Sequence, residues 1–343
     1  MRWEPAHYGF STGPIKPKRP AAAFPRRDRP HGLKYRQPDF VGSYSCDSRL
    51  LSLGCASFPM KIGFNLLLWT GHVTEDHFPV LAKLKAAGYD GVEIPIFDIS
   101  DPAHFARIGR ELRDQGLECT AVTVLPDEAH NAISPVAANR QGAVDHLKRV
   151  LECCHNAGVQ TLCGPYYQVL GQFTGAFPTE QELDNAAGVH RAIAPVAEAA
   201  GVKCAIEALN RFESHLLNTM EQAASYVKRV DHPAFGTMYD TFHANIEEKN
   251  PFTAIDTVFA SGKLNHVHIS ENDRGTPGRG HINLTEQIQH LKKIGYNGWM
   301  TIEAFGSALP DLAAATRVWR DFFPSTDQVY LEGIEVIRKA WNA

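Results

Sequence analysis

A chain of 343 residues, 44% apolar and 21% charged, has the make-up of a folded enzyme and is long enough for one large domain or two smaller ones. Its net charge of −4 gives the whole molecule no draw toward nucleic acid, and no apolar run approaches the ~20 residues that a membrane-spanning helix needs. The seven cysteines show no C-x-x-C spacing and read as buried free thiols in a reducing, cytoplasmic compartment.

Residues 1–59 differ from the rest. They are rich in Pro, Arg, Ser and Gly, and their cations far outnumber Glu4, Asp28, Asp39 and Asp47. Such a segment buries too little apolar surface to offset the entropy of ordering, so it is expected to be a disordered extension. An organelle-targeting presequence fits the Arg content, but Pro20, Pro25 and Pro30 interrupt any amphipathic helix. A basic nucleic-acid-binding arm is a second reading. The favoured one is a non-functional extension ahead of a natural start at Met60, which opens the strand-like MKIGFNLLLW.

From residue 60 onward, apolar strand-like runs alternate with helical patterns. The runs are 61–67, 91–96, 118–124, 160–163, 203–209, 235–240, 264–269 and 299–305. Between them, Phe78, Leu81 and Leu84 share one helical face, as do Val144, Leu147, Leu151 and Cys154. A helical region is expected from Leu312 through Val318, Trp319 and Phe322, continuing past Pro324 to Trp341. Gly88, Gly158, Gly201 and Gly295 mark helix ends. Strands and helices in strict alternation imply a parallel sheet with right-handed crossovers. Eight such units over 60–343 predict an α/β protein of the (β/α)₈ (TIM) barrel class. A doubly wound open sheet is the alternative, but no G-x-G-x-x-G follows the first strand.

In such a barrel, chemistry gathers where the strands end. The fifth run carries Glu207, a carboxylate that is costly to bury without a cation or donors. The sixth run ends at Asp240, the seventh carries His266 and His268 two residues apart, and the eighth carries Glu303. Each residue alone has a bland explanation as a hydrogen-bonded or core side chain. Together, on four successive strands, they predict an oxygen-rich metal site. Such a ligand set suits Mn²⁺ or Mg²⁺, with Co²⁺ or Zn²⁺ as alternatives; Mn²⁺ is the favoured expectation.

The strings I206-E-A-L-N-R-F-E213, Y239-D-T-F-H-A-N-I-E-E248, H266-V-H-I-S-E-N-D-R274 and I302-E-A-F305 carry a family resemblance. They resemble the D-tagatose 3-epimerase, D-allulose (psicose) 3-epimerase and L-ribulose 3-epimerase family of the xylose-isomerase-like barrels, from about residue 61 to the C-terminus. The resemblance implies metal ligation by Glu207, Asp240, His268 and Glu303, with His266 left as a supporting residue. It implies substrate binding by Glu213, His243 and Arg274, and acid/base work by Glu207 and Glu303 on opposite faces of an enediolate. It also implies a small-molecule ketose as partner and assembly as a homodimer or homotetramer, with no nucleic acid or membrane involved.

Related barrels leave other readings open: an aldose–ketose or hydroxypyruvate-type isomerase, or a non-catalytic sugar-binding protein. A multi-zinc nuclease needs more early-strand ligands than Glu93 and the loop residue His130 supply. Glu247 and Glu248 are expected to be structural. The Gly-rich stretch 274–280, with Arg279, is weighed as a phosphate cradle and as a flap.

Overall fold

The computed structural model describes residues 60–343. The expectation of disorder over residues 1–59 therefore lies outside the described residues.

Eight parallel strands close into a barrel in sequence order: β1 (Lys61–Asn65), β2 (Gly91–Pro95), β3 (Glu118–Val122), β4 (Thr161–Gly164), β5 (Lys203–Ile206), β6 (Phe235–Asp240), β7 (Leu264–Ile269) and β8 (Trp299–Ile302), with β8 pairing back onto β1. Each strand is nearly all buried because helices cover its outer face and side chains fill the barrel inside. The helices between them are α1 (Phe78–Ala87), α2 (Pro102–Asp114), α3 (Ala137–Ala157), α4 (Glu180–Ala199), α5 (Met220–Val230), the pair α6 (Thr241–Glu247) and α7 (Pro251–Ala260), and α8 (Leu284–Lys293). Two more, α9 (Pro310–Thr316) and α10 (Thr326–Asn342), follow β8.

Local chemistry sets many of the helix ends. Asp101 accepts from the Ala103 amide at the start of α2, where Pro102 needs no partner for a missing N–H. Thr179 and Glu182 form a reciprocal capping box at the start of α4. α1 and α3 end at Gly88 and Gly158, both in the left-handed region. Gly109 on α2 lies against the backbone of Ala157, so a Cβ there would sit 2.5 Å from the Ala157 carbonyl oxygen. Gly109→Ala is expected to lose about 1–3 kcal/mol through overpacking, more than the roughly 1 kcal/mol of helix propensity it gains. Thermal unfolding checks this; an unchanged or raised Tm would contradict it.

The alternation of strands and helices is as the sequence implies, with two differences. Several runs are shorter as strands than as apolar sequence: β1 stops at Asn65, β5 at Ile206 and β8 at Ile302, and the apolar residues beyond them enter loops. The expected continuous helical region after β8 is broken. Arg317 adopts φ 61° and ends α9, so Trp319 stands 71% exposed rather than on a buried helical face. The five described cysteines are free and buried, as expected.

Candidate metal and substrate site

Glu207 lies one residue past β5 and Glu303 one past β8. The amide of Glu207 donates to the Gly164 carbonyl at 3.1 Å, and that of Glu303 to the Ile269 carbonyl at 3.2 Å. Each glutamate is thus held at a barrel rim by a hydrogen bond that continues the sheet. Asp240 closes β6 and caps α6, its Oδ1 accepting from the His243 amide at 2.8 Å. A register irregularity between Thr237 and Met238 sets His266 opposite Met238 and His268 opposite Asp240. The result brings one ligand atom each from Glu207, Asp240, His268 and Glu303 within 4.8 Å of one another, all buried.

The electrostatics of this cluster are those of a site made for a cation. Burial, and then the neighbouring charge of Glu303, hold Glu207 well above the usual carboxylate range. Burial raises Glu303 to about 7, against the pull of His268. Asp240 goes the other way: burial alone would raise it, but the close approach of His268 and the nearness of His243 leave it lowered. His268 is raised despite burial, because Glu93 and Glu303 favour its charged form. His268 Nδ1 lies 3.6 Å from Asp240 Oδ2 and 3.5 Å from Glu303 Oε1. Neither His268 Nδ1 nor Asp240 Oδ2 makes a hydrogen bond, although both are buried. Two buried atoms without partners, between carboxylates that resist ionisation, fit a divalent metal that would displace the His268 proton. The cluster is positioned to hold a metal ion.

The expected substrate-binding residues gather beside it. His243, in the first turn of α6, accepts from the Asn210 amide at Nδ1 (3.0 Å), which leaves Nε2 as its donor, 3.5 Å from Glu207 Oε1. Burial holds this imidazole down at about 4, so it is neutral. Arg274 has φ 59° and its guanidinium lies between the rings of Phe242 (4.1 Å) and Phe305 (4.9 Å). Its Nη2 is 2.9 Å from His243 Nε2 and 3.3 Å from Glu213 Oε1. Two donors therefore face each other at His243 and Arg274, an arrangement that an acceptor oxygen would relieve. Burial would raise Glu213, but Arg274 and His243 outweigh it and keep this carboxylate ionised. Asn210, Phe212, Glu213, Phe242, Arg274 and Phe322 line a cleft of about 430 Å³ over this corner.

Other expectations resolve differently. Glu247 pairs with Arg211 and Glu248 accepts from the Met220 amide at the start of α5, both structural as expected. In the Gly-rich stretch several of the groups that could meet a phosphate are engaged within the protein. The buried Glu271 carboxylate accepts from the amides of Gly278 (2.9 Å) and Ile282 (3.0 Å), and Arg279 pairs with Glu332 at the exposed surface. Within the stretch, the amides of Arg274, Gly275, Gly278 and Arg279 all have partners inside the protein.

A family model described as "Xylose isomerase-like TIM barrel" matches residues 81–340. A "Probable ketose 3-epimerase" of Synechocystis is 30% identical over 82% of this chain and 97% of its own length. The chain belongs to the ketose 3-epimerase family. Membership makes it an isomerase. A "Ketose 3-epimerase" of Arthrobacter globiformis is 31% identical over 83% of this chain and 98% of that protein. Among solved structures, D-psicose 3-epimerase with D-tagatose from Clostridium cellulolyticum H10 superposes with a TM-score of 0.74 at 28% identity, covering 82% of this chain and 99% of that one.

Sequence reasoning missed the roles of three residues of this corner. Asn210 holds both Glu213 (2.8 Å) and His243, and sits inside the quoted N-R-F-E string. Asn65, at the end of β1, donates to Glu93 and to Glu303. Glu93, the one carboxylate in β2, is fully buried rather than a sparse nuclease ligand. A lone charged residue in an apolar strand was the available signal for it.

Proposed function

We propose that this chain is a divalent-metal-dependent 3-epimerase of free ketoses, inverting C3 of a ketohexose or ketopentose of the D-tagatose, D-fructose/D-allulose or L-ribulose kind. Glu207, Asp240, His268 and Glu303 would hold the metal, best supplied as Mn²⁺, with Mg²⁺ or Co²⁺ able to take its place. The observation that carries the reading is the pair of buried, unpartnered atoms His268 Nδ1 and Asp240 Oδ2, within reach of two carboxylates that burial keeps from ionising easily.

The chemistry follows from what each group can do. The C3 proton of a ketose is alpha to the C2 carbonyl. Removing it sends the C3–H electron pair into a C2–C3 double bond and puts negative charge on O2. A bound divalent cation supplies Lewis-acid stabilisation for that charge. One glutamate, Glu207 or Glu303, takes the C3 proton from one face. The other, protonated, delivers a proton to C3 from the opposite face, and the direction of reaction decides which is which. A carboxyl serves best as acid and as base when it titrates near neutrality; burial raises Glu303 toward that range, and a bound cation would pull it back down. His243 Nε2 and Arg274 Nη2 both present N–H groups to one spot, and an oxygen at the C1–C2 end of the sugar would accept from both. Ionised Glu213 would accept from a hydroxyl there and keep Arg274 in place.

The test is product identity. The purified, Mn²⁺-loaded chain is incubated with D-fructose, D-tagatose and L-ribulose, each with and without EDTA. The reading expects the C3 epimer from at least one of them, lost with EDTA. Failure on every free ketose by a protein that binds the metal would defeat it.

A further inference from the structure

Resting on that reading of the metal centre, we propose that Glu93 is its positioning residue. Its carboxylate fixes which nitrogen of His268 carries the proton, and Asn65 ties the same carboxylate to Glu303.

Glu93 projects from β2 and is fully buried. Donors crowd both of its oxygens. Oε1 accepts from Asn65 Nδ2 at 2.9 Å and lies 2.8 Å from His268 Nε2. Oε2 accepts from Thr120 Oγ1 at 3.0 Å and Cys163 Sγ at 3.2 Å, and lies 2.9 Å from His266 Nε2. An ionised carboxylate only accepts, with about four lone-pair sites in all. Here its acceptor capacity is filled by groups from β1, β3, β4 and β7. It is not among the residues lining the substrate cleft.

An acceptor 2.8 Å from His268 Nε2 requires the hydrogen to sit on that nitrogen. The lone pair of the neutral ring is then on Nδ1, the atom that faces Asp240 and Glu303 and makes no hydrogen bond. A carboxylate or carbonyl on the far nitrogen is how proteins orient a metal-binding imidazole and raise its basicity. Asn65 extends the link. Its Oδ1 accepts from the Leu67 amide at 2.9 Å, which fixes the orientation of the side-chain amide. Nδ2 must then point toward both Glu93 Oε1 and Glu303 Oε1, the latter at 3.1 Å. One buried carboxylate thereby orients two of the four proposed ligands, one directly and one through Asn65.

Glu93, Cys163, His266 and His268 also have ligand-type atoms within 4.8 Å of one another. Of the two histidines only His268 is hydrogen-bonded to Glu93, through Nε2 at 2.8 Å; His266 Nε2 lies 2.9 Å from Glu93 Oε2 without making a hydrogen bond, so one ion per chain, held by the first cluster, is part of the proposal.

The Glu93→Gln variant keeps the shape and replaces one acceptor oxygen with an amide donor. Mn²⁺ affinity, followed by EPR of the free ion, is expected to fall by about 10–100-fold, the usual cost of losing such a partner. Turnover is expected to recover largely at saturating Mn²⁺, which loss of an acid or base would not allow. Unchanged affinity in a folded variant overturns the proposal. So does a wild-type stoichiometry of two ions per chain. A second measurement stands even if the variant fails to fold. In the diamagnetic Mg²⁺-loaded wild type, ¹⁵N shifts of His268 should place the hydrogen on Nε2, and a hydrogen on Nδ1 overturns the proposal. Wild-type protein that binds neither ion overturns the metal centre itself, and this inference with it.

Discussion

Replacing Glu303 by Gln is expected to lower turnover by about 10²–10⁴-fold even at saturating metal, because the amide cannot accept or return the C3 proton. Glu207→Gln should do the same. The substitutions are isosteric, both sites are buried beside charged neighbours, and neither carboxylate makes a hydrogen bond that the barrel needs to close. The double variant should cost little more than either single one, since each glutamate handles one end of the same proton passage and losing either end stops it. Initial rates with a saturating ketose check this. If Glu303→Gln turned over at wild-type rate, the two-glutamate account would fall. If the double variant lost the product of the two single effects, the groups would be acting in separate steps.

The second large effect is on metal binding against pH. Proposed ligands must give up their protons to bind a cation. In the metal-free protein Glu303 is held at about 7 by burial, and Glu207 and His268 are raised as well. Lowering the pH from 8 to 6 crosses the Glu303 range, so that proton alone should weaken Mn²⁺ binding by about tenfold, and the other two can only add to it. The stability of the metal-free protein carries the opposite sign. A buried carboxyl with a raised pKa binds its proton in the folded state and releases it in the unfolded one. Its contribution is therefore lost as pH rises from the ordinary carboxylate range through about 7. Because the buried His146, His190 and His243, held at about 4, pull the other way, the effect is read against Glu303→Gln: the stability that the metal-free wild type holds over this variant should fall between about pH 5.5 and about pH 7.5, and the stabilisation by Mn²⁺ should be larger at the higher pH. Calorimetric titration and thermal melts at the two pH values check both signs. Mn²⁺ affinity independent of pH would mean that these carboxyls do not release protons to the metal.

Much of this was legible in the sequence, for physical reasons that can be named. The barrel was legible because every strand of a parallel sheet is buried on both faces and reads as a short apolar run, as at F235-G-T-M-Y-D240. Glu207, Asp240, His268 and Glu303 stood out because a charged side chain at the end of such a run has to be explained. Strand ends were less legible. Beyond Ile206 and Ile302 the chain stays apolar while leaving the sheet, since Ala208, Leu209, Ala304 and Phe305 are buried by loops packed over the barrel mouth. The break after α9 was hidden because left-handed Arg317 carries no sequence mark, unlike a glycine in the same conformation. Asn65, Glu93 and Asn210 were the hardest to see. Most of their partners are distant along the chain, as with Asn65, 28 residues from Glu93 and 238 from Glu303, and pattern along the chain carries no such information.

The central claim is that this chain passes a proton on and off C3 of a ketose. The most direct measurement is NMR of the sugar after incubation with Mn²⁺-loaded protein in D₂O. The account predicts deuterium at C3 together with the C3 epimer, and neither with the Glu303→Gln variant. Deuterium at C1 with an aldose formed would contradict it and mark the chain as an aldose–ketose isomerase.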